Sequence, residues 1–242
     1  LAAPLLTSPQ SAVANEPLDE RWGLLLLAHG VHIHTKEHGQ INIWNRNVEA
    51  MAKTLDSHYP TEVAFGMANT QTVQAAVDRL WQRGYRNIAV VPVFVSSHSP
   101  IIGNFRYLLG LQEHLAPTTQ LKQLDQVNSE AQFRFSRAMD DHPLISQILL
   151  DRAREMADEP SRTNIVLVAH GPNDEEENRA WLEDLANHAA FLESHGFRRV
   201  TFTTHRNDAP KAIKNIAQQQ FRQMVAAGAK NGEVIVIPVL LS

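Results

Sequence analysis

The sequence predicts an α/β protein made of two similar units, each a parallel sheet flanked by helices, facing one another across a cleft. Two internal echoes and one alternation predict it. LLLLAHG at 24–30 returns as IVLVAHG at 165–171, and VVPVFVSS at 90–97 returns as VIPVLLS at 236–242. Between these motifs, apolar runs of strand length alternate with segments of helical period, the order that builds βαβ units. A repeat of about 130 residues is too long for a solenoid and fits duplicated α/β domains.

Taken in order, an arm over 1–21, polar from Asn15 to Arg21, leads into a strand at 23–28, whose run of leucines reads as buried on both faces. Residues 32–40 are polar and read as a loop. Ile43, Trp44, Val48, Met51, Ala52 and Leu55 give 41–57 a helical period. A second strand is expected at 62–67, with Thr70 as the N-cap of a helix over 73–83 that ends at Gly84. The most hydrophobic strand, 87–95, ends in Ser96-Ser97-His98-Ser99-Pro100. A helix at 102–115 and a strand-like piece at 120–127 complete a first unit of 22–142. A connecting helix at 143–157 lies within a linker of 143–160. The second unit, 161–242, repeats the order: a strand at 164–169, a helix at 181–195 after an acidic start, a strand at 199–204, a helix at 210–227 and a strand at 233–241. The sequence ends inside this last motif.

Composition narrows the function. With 22 Lys and Arg against 26 Asp and Glu, the net charge of −4 provides no broad basic field for nucleic acid or an anionic membrane. No apolar run is long enough to span a bilayer. The chain contains no cysteine, which excludes disulfides, Cys-ligated zinc, a thiol nucleophile and a Cys-bound iron–sulfur cluster within it. Residues 1–14 end in Ala12-Val13-Ala14, the pattern of a signal-peptide remnant, so an exported, periplasmic location stands beside a cytoplasmic one.

Histidine is abundant, at 12 residues, and marks the strand ends. Ligands of open α/β sheets bind beyond the carboxyl ends of the strands, where His29, His98 and His170 are expected. Two imidazoles on rigid strand ends make an open site for a divalent ion and leave positions for water or substrate. His29 and His98 of the first unit are expected to converge in this way. His205, at the end of a second-unit strand, is a further candidate ligand. His32, His34 and His38 lack regular ligand spacing and read as a solvated loop. The acids Asp174 to Glu177 are explained by a helix N-terminus, and Trp44, Trp81 and Trp181 by packing. There is no GxSxG elbow, no GxxxxGK[ST] loop and no GxGxxG after a strand.

LLLLAHG, VVPVFVSSHSP, HPLISQILLDRA at 142–153 and the repeated VAHG with IPVLLS together resemble the class II tetrapyrrole chelatases, in particular the sirohydrochlorin cobaltochelatase family of the CbiX type in its long, internally duplicated form. The resemblance spans about residues 22–242. It implies two chelatase-like (Rossmann-like) domains around a cleft and ATP-independent insertion of Co²⁺, Fe²⁺ or Ni²⁺, as substrate, into a tetrapyrrole. Through the motifs, it implies that His29 and His98 are the catalytic, metal-binding pair. Separately from the motifs, Arg106, Arg206 and Lys211 are local cations that could meet substrate carboxylates. Related chelatases carry a glutamate after the second strand, where this chain has Met67, Ala68 and Asn69; Val31 and Ser97 are further departures. A non-catalytic metal- or tetrapyrrole-binding protein on the same scaffold is the alternative, and a small-molecule binding protein a weaker one. A monomer and a homodimer are both compatible with an internal duplication.

Overall fold

A computed structural model describes residues 22–30 and 43–240. The arm at 1–21, with its possible signal remnant, the histidine-rich loop and the final two residues lie outside the described residues. Two parallel sheets form. The first comprises β1 (Trp22–Ala28), β2 (Thr61–Phe65), β3 (Asn87–Val93) and β4 (Gln132–Phe135) in the order β2-β1-β3-β4. The second comprises β5 (Thr163–Ala169), β6 (Arg199–Thr204) and β7 (Glu233–Val239) in the order β6-β5-β7.

The sequence echoes are echoes of register. Ala28 pairs with Phe65 and Val93, as Ala169 pairs with Thr204 and Val239; Leu27 faces Pro92, as Val168 faces Pro238. The central strand of each sheet is covered on both faces, which is why it reads as an unbroken apolar run. Leu25 and Leu27 enter one cluster with Val73, Val77 and Leu80 of α2 (Thr70–Gln82) and Phe105 and Leu108 of α3 (Pro100–Leu108). Leu24, Leu26 and Ala28 enter another with Val48 and Ala52 of α1 (Ile43–Asp56).

In the second unit, Leu149, Leu150 and Ala153 of α4 (Pro143–Met156) pack with Trp181, Leu185, Ala189 and Leu192 of α5 (Glu175–Ser194) over β5 and β7. The helix read as a connector thus lends its apolar face to the second core. On the other face, α6 (Lys211–Ala229) buries only Ala217. No described helix is long and apolar enough to cross a membrane.

Several boundaries differ from expectation. Asn69, not Thr70, caps α2: its side chain accepts from the Thr72 amide, and Thr70 instead bonds the Asp125 carbonyl. α3 begins two residues early, because Ser99 accepts the Ile101 amide and Pro100 fits the first helical turn; it ends at Leu108. Residues 120–127 form no strand. Leu124 and Val127 anchor that stretch on the core as a loop, and the fourth strand is Gln132–Phe135, paired to β3 from Asn87↔Gln132. α5 starts at Glu175, six residues earlier than its apolar period, because Asp174 accepts the amides of Glu176 and Glu177 and three glutamates complement the dipole.

Candidate metal centre

Each AHG motif ends its strand in a glycine at φ +73°, which turns the backbone just past the histidine. The turn brings His29 Nδ1 to 2.6 Å from the Gly30 carbonyl and His170 Nδ1 to 2.9 Å from the Gly171 carbonyl. A carbonyl only accepts, so Nδ1 carries the proton and Nε2 is the outward nitrogen. Orientation of an imidazole by a backbone carbonyl is the usual support of a metal-binding histidine. The two copies then diverge. His170 Nε2 faces Asp208 Oδ2 at 3.3 Å, whereas His29 is exposed and its Nε2 has no partner among the described residues.

His98 follows β3 on a loop built by serines. Ser96 Oγ accepts the His98 amide, and the Ser97 amide and hydroxyl donate to the two carboxylate oxygens of Asp140 at 2.5 and 2.8 Å. Asp140 Oδ2 also accepts from Arg137, so this almost fully buried carboxylate is saturated, and it sits at φ +42° where residues 139–140 run beside 94–95.

The second unit completes this neighbourhood. One face of α5 carries Glu177, Trp181, Asp184 and His188. Glu177 accepts the Thr118 hydroxyl; Trp181 Nε1 donates to the His98 carbonyl at 2.6 Å; buried His188 donates from Nε2 to the Asp140 carbonyl at 3.0 Å and accepts from Ser146 on Nδ1. Burial holds the His188 imidazole below its ordinary pKa, consistent with that neutral form. Between Trp181 and His188, Asp184 places Oδ2 3.9 Å from His98 Nε2; this oxygen is buried and accepts no hydrogen bond. Ligand atoms of His98, Asp140 and Asp184 all lie within 4.8 Å of one another, the grouping among the described residues that could hold a metal ion.

Burial, then the nearby Asp140 charge, push the Asp184 carboxyl up to about 6, with His98 opposing. A carboxyl whose pKa is higher folded than unfolded stabilises the fold below its unfolded value, and that contribution is lost as pH rises through the folded value. Metal-free Asp184→Asn is therefore expected to be more stable than the parent at pH 7 by about 1–2 kcal/mol, allowing for water around this partly exposed group. The gap should close near pH 4. Urea unfolding at both pH values with chelator checks this, and equal stability at pH 7 contradicts it.

The site residues expected from sequence are thus distributed. His29 and His98 follow adjacent strands, but the three-residue grouping joins His98 to two aspartates and does not include His29. His205 is half-buried, with its ring edge-on to Phe221 at 6.0 Å and its buried Nδ1 unpartnered, and stands outside that grouping. Arg206 is not available to a substrate: its nearly buried guanidinium is spent on the Pro172 and Asn173 carbonyls and on Glu175. Arg106 lies 4.7 Å over the Phe135 ring, and Lys211 is exposed. Asp140 and Asp184 were not singled out from sequence. The readable signal was on α5, where an acid and a histidine follow Trp181 at i+3 and i+7, on the face of the helix turned toward the first unit.

The CbiX family model matches residues 23–156, more than half of the chain. This chain belongs to the CbiX family. It is accordingly a class II metal chelatase, a lyase. Among solved structures, this chain is similar to SirB from Bacillus subtilis with Fe³⁺, at 11% identity and a TM-score of 0.57, covering 90% of this chain and 88% of that one. It is likewise similar to the sirohydrochlorin chelatase SirB from Bacillus subtilis subspecies spizizenii in complex with cobalt, at 11% identity and a TM-score of 0.54, covering 91% and 88%. No curated protein matches the chain.

Proposed function

We propose that this chain inserts a divalent metal into sirohydrochlorin or a closely related tetrapyrrole without ATP, using His29 and His98 of a first unit, 22–142, that faces a second, 161–242, joined by 143–160. The observation that carries the reading is the strand-end histidine of a CbiX-family chain with one ring nitrogen fixed by the Gly30 carbonyl and the other unengaged among the described residues. The metals named for the similar structures, Fe³⁺ and cobalt, favour Co²⁺ and Fe²⁺ as substrates, with Ni²⁺ admitted by the same donor chemistry.

His29 Nε2 and His98 deliver a partly hydrated ion to the macrocycle. Insertion of a divalent ion displaces two pyrrole protons, and the two imidazoles, once they have released the metal, each accept one of them and later pass it to water. Bound water leaves as pyrrole nitrogens replace it, and no covalent intermediate is needed.

The duplication makes a test. His29→Ala should lower the rate of Co²⁺ insertion into sirohydrochlorin, followed anaerobically by absorbance, about 100-fold or more. His170→Ala, whose outer nitrogen already faces Asp208, should retain most of the rate. Equal losses in both variants, or in neither, contradict a first-unit site. A shifted but unmetallated spectrum with the parent protein supports the non-catalytic alternative.

A further inference from the structure

We propose that Asp184 of the second unit is a ligand of the incoming divalent ion together with His98, so that the metal site is shared between the two units. The inference rests on the chelatase reading only in taking that ion as the reaction's substrate.

The separation of the two side chains suits two ligands of one ion. Atoms bound to one ion at about 2.1 Å stand at most about 4.2 Å apart. His98 Nε2 and Asp184 Oδ2 are 3.9 Å apart, too far for a hydrogen bond to join them and within that limit. Asp184 Oδ2 is buried without a donor, an arrangement that costs free energy unless a cation or proton meets it.

Asp140 differs from it. Its oxygens are satisfied by Ser97 and Arg137, so it fixes the His98 loop and contributes charge rather than an open coordination position. Asp184 is also held on both sides along its helix, by Trp181 bonded to the His98 carbonyl and His188 bonded to the Asp140 carbonyl. Such a supporting shell is what keeps a metal ligand within a few tenths of an ångström of its place. The first unit's second strand is followed by Met67, Ala68 and Asn69, none of them an anionic ligand. The carboxylate instead arrives from the other half of the chain.

Co²⁺ alone is the probe. Calorimetry and visible absorbance of the full chain, made metal-free and titrated anaerobically at pH 7.5, should show Co²⁺ binding at least 10-fold weaker in Asp184→Asn, with changed intensity of the cobalt d–d bands. Asp184→Glu, which keeps a carboxylate, should recover part of the affinity. A purely structural Asp184 would leave the bands unchanged. Melting of the metal-free variants establishes that they are folded. Parent-like affinity and bands in Asp184→Asn overturn the proposal, whatever the insertion rate. Weakened Co²⁺ binding in that variant, with no insertion by the parent, supports the shared site while removing the chelatase reading.

Discussion

His98→Ala is expected to lower metal insertion by about 100- to 1,000-fold, the range typical of removing one essential proton-transfer or positioning group. The loss should fall on turnover and not on the fold. The ring is about two-fifths exposed, its closest charged neighbour is 3.9 Å away, and the contacts that organise the loop come from its backbone: the amide to Ser96 and the carbonyl to Trp181. An alanine keeps both. The spectral shift on binding sirohydrochlorin and the unfolding midpoint should therefore stay near those of the parent while insertion disappears. Unchanged insertion, or a collapse in stability equal to the loss of activity, contradicts the assignment.

A large stability effect is expected at the second AHG turn. Gly171→Ala places a Cβ inside the contact radius of Thr204 Cβ and 2.9 Å from its Cγ2 and Oγ1, at a φ of +73° that already disfavours alanine. Thr204 has little freedom to yield, being buried and bonded through its hydroxyl to Asn178 on α5. Left-handed strain and overpacking together amount to about 2–5 kcal/mol. The equivalent Gly30→Ala meets Phe65 Cβ only at 3.0 Å and should cost about 1–2 kcal/mol. Urea midpoints of the two variants compare them directly, and equal losses contradict the argument. Because the Gly171 turn launches α5, the more damaging variant should also weaken Co²⁺ binding through displacement of Asp184.

The strand framework was legible because its signal is local and repeated. A central strand covered on both faces must be apolar throughout, and the turn past each histidine needs a glycine, so LLLLAHG and IVLVAHG declare both position and orientation. Helix starts were read less well where a side chain outside the apolar period sets the cap, as Asp174 and Asn69 do. The stretch 120–127 shows how apolar residues that merely anchor a loop imitate a strand. QFRF, too short to stand out, becomes β4 through its register on β3.

Half of the candidate site was legible on the same grounds. His29 and His98 announce themselves at strand ends, a position set by topology. Asp140 and Asp184 come from distant stretches of chain, and only the docking of α5 on the His98 loop brings them together. Arg206 was misread for a related reason: a lone arginine near a cleft looks available until its partners, two loop carbonyls and the first glutamate of α5, are placed around it.

Metal insertion is tested most directly by the rate of metallation of sirohydrochlorin by Co²⁺ under anaerobic conditions, with and without the parent protein, then repeated with Fe²⁺ and Ni²⁺. Multiple turnovers per chain and a rate well above the protein-free reaction are expected for at least one of these metals. Conversion no faster than the protein-free control with all three, from a chain that binds both sirohydrochlorin and Co²⁺, would contradict metal insertion as its activity.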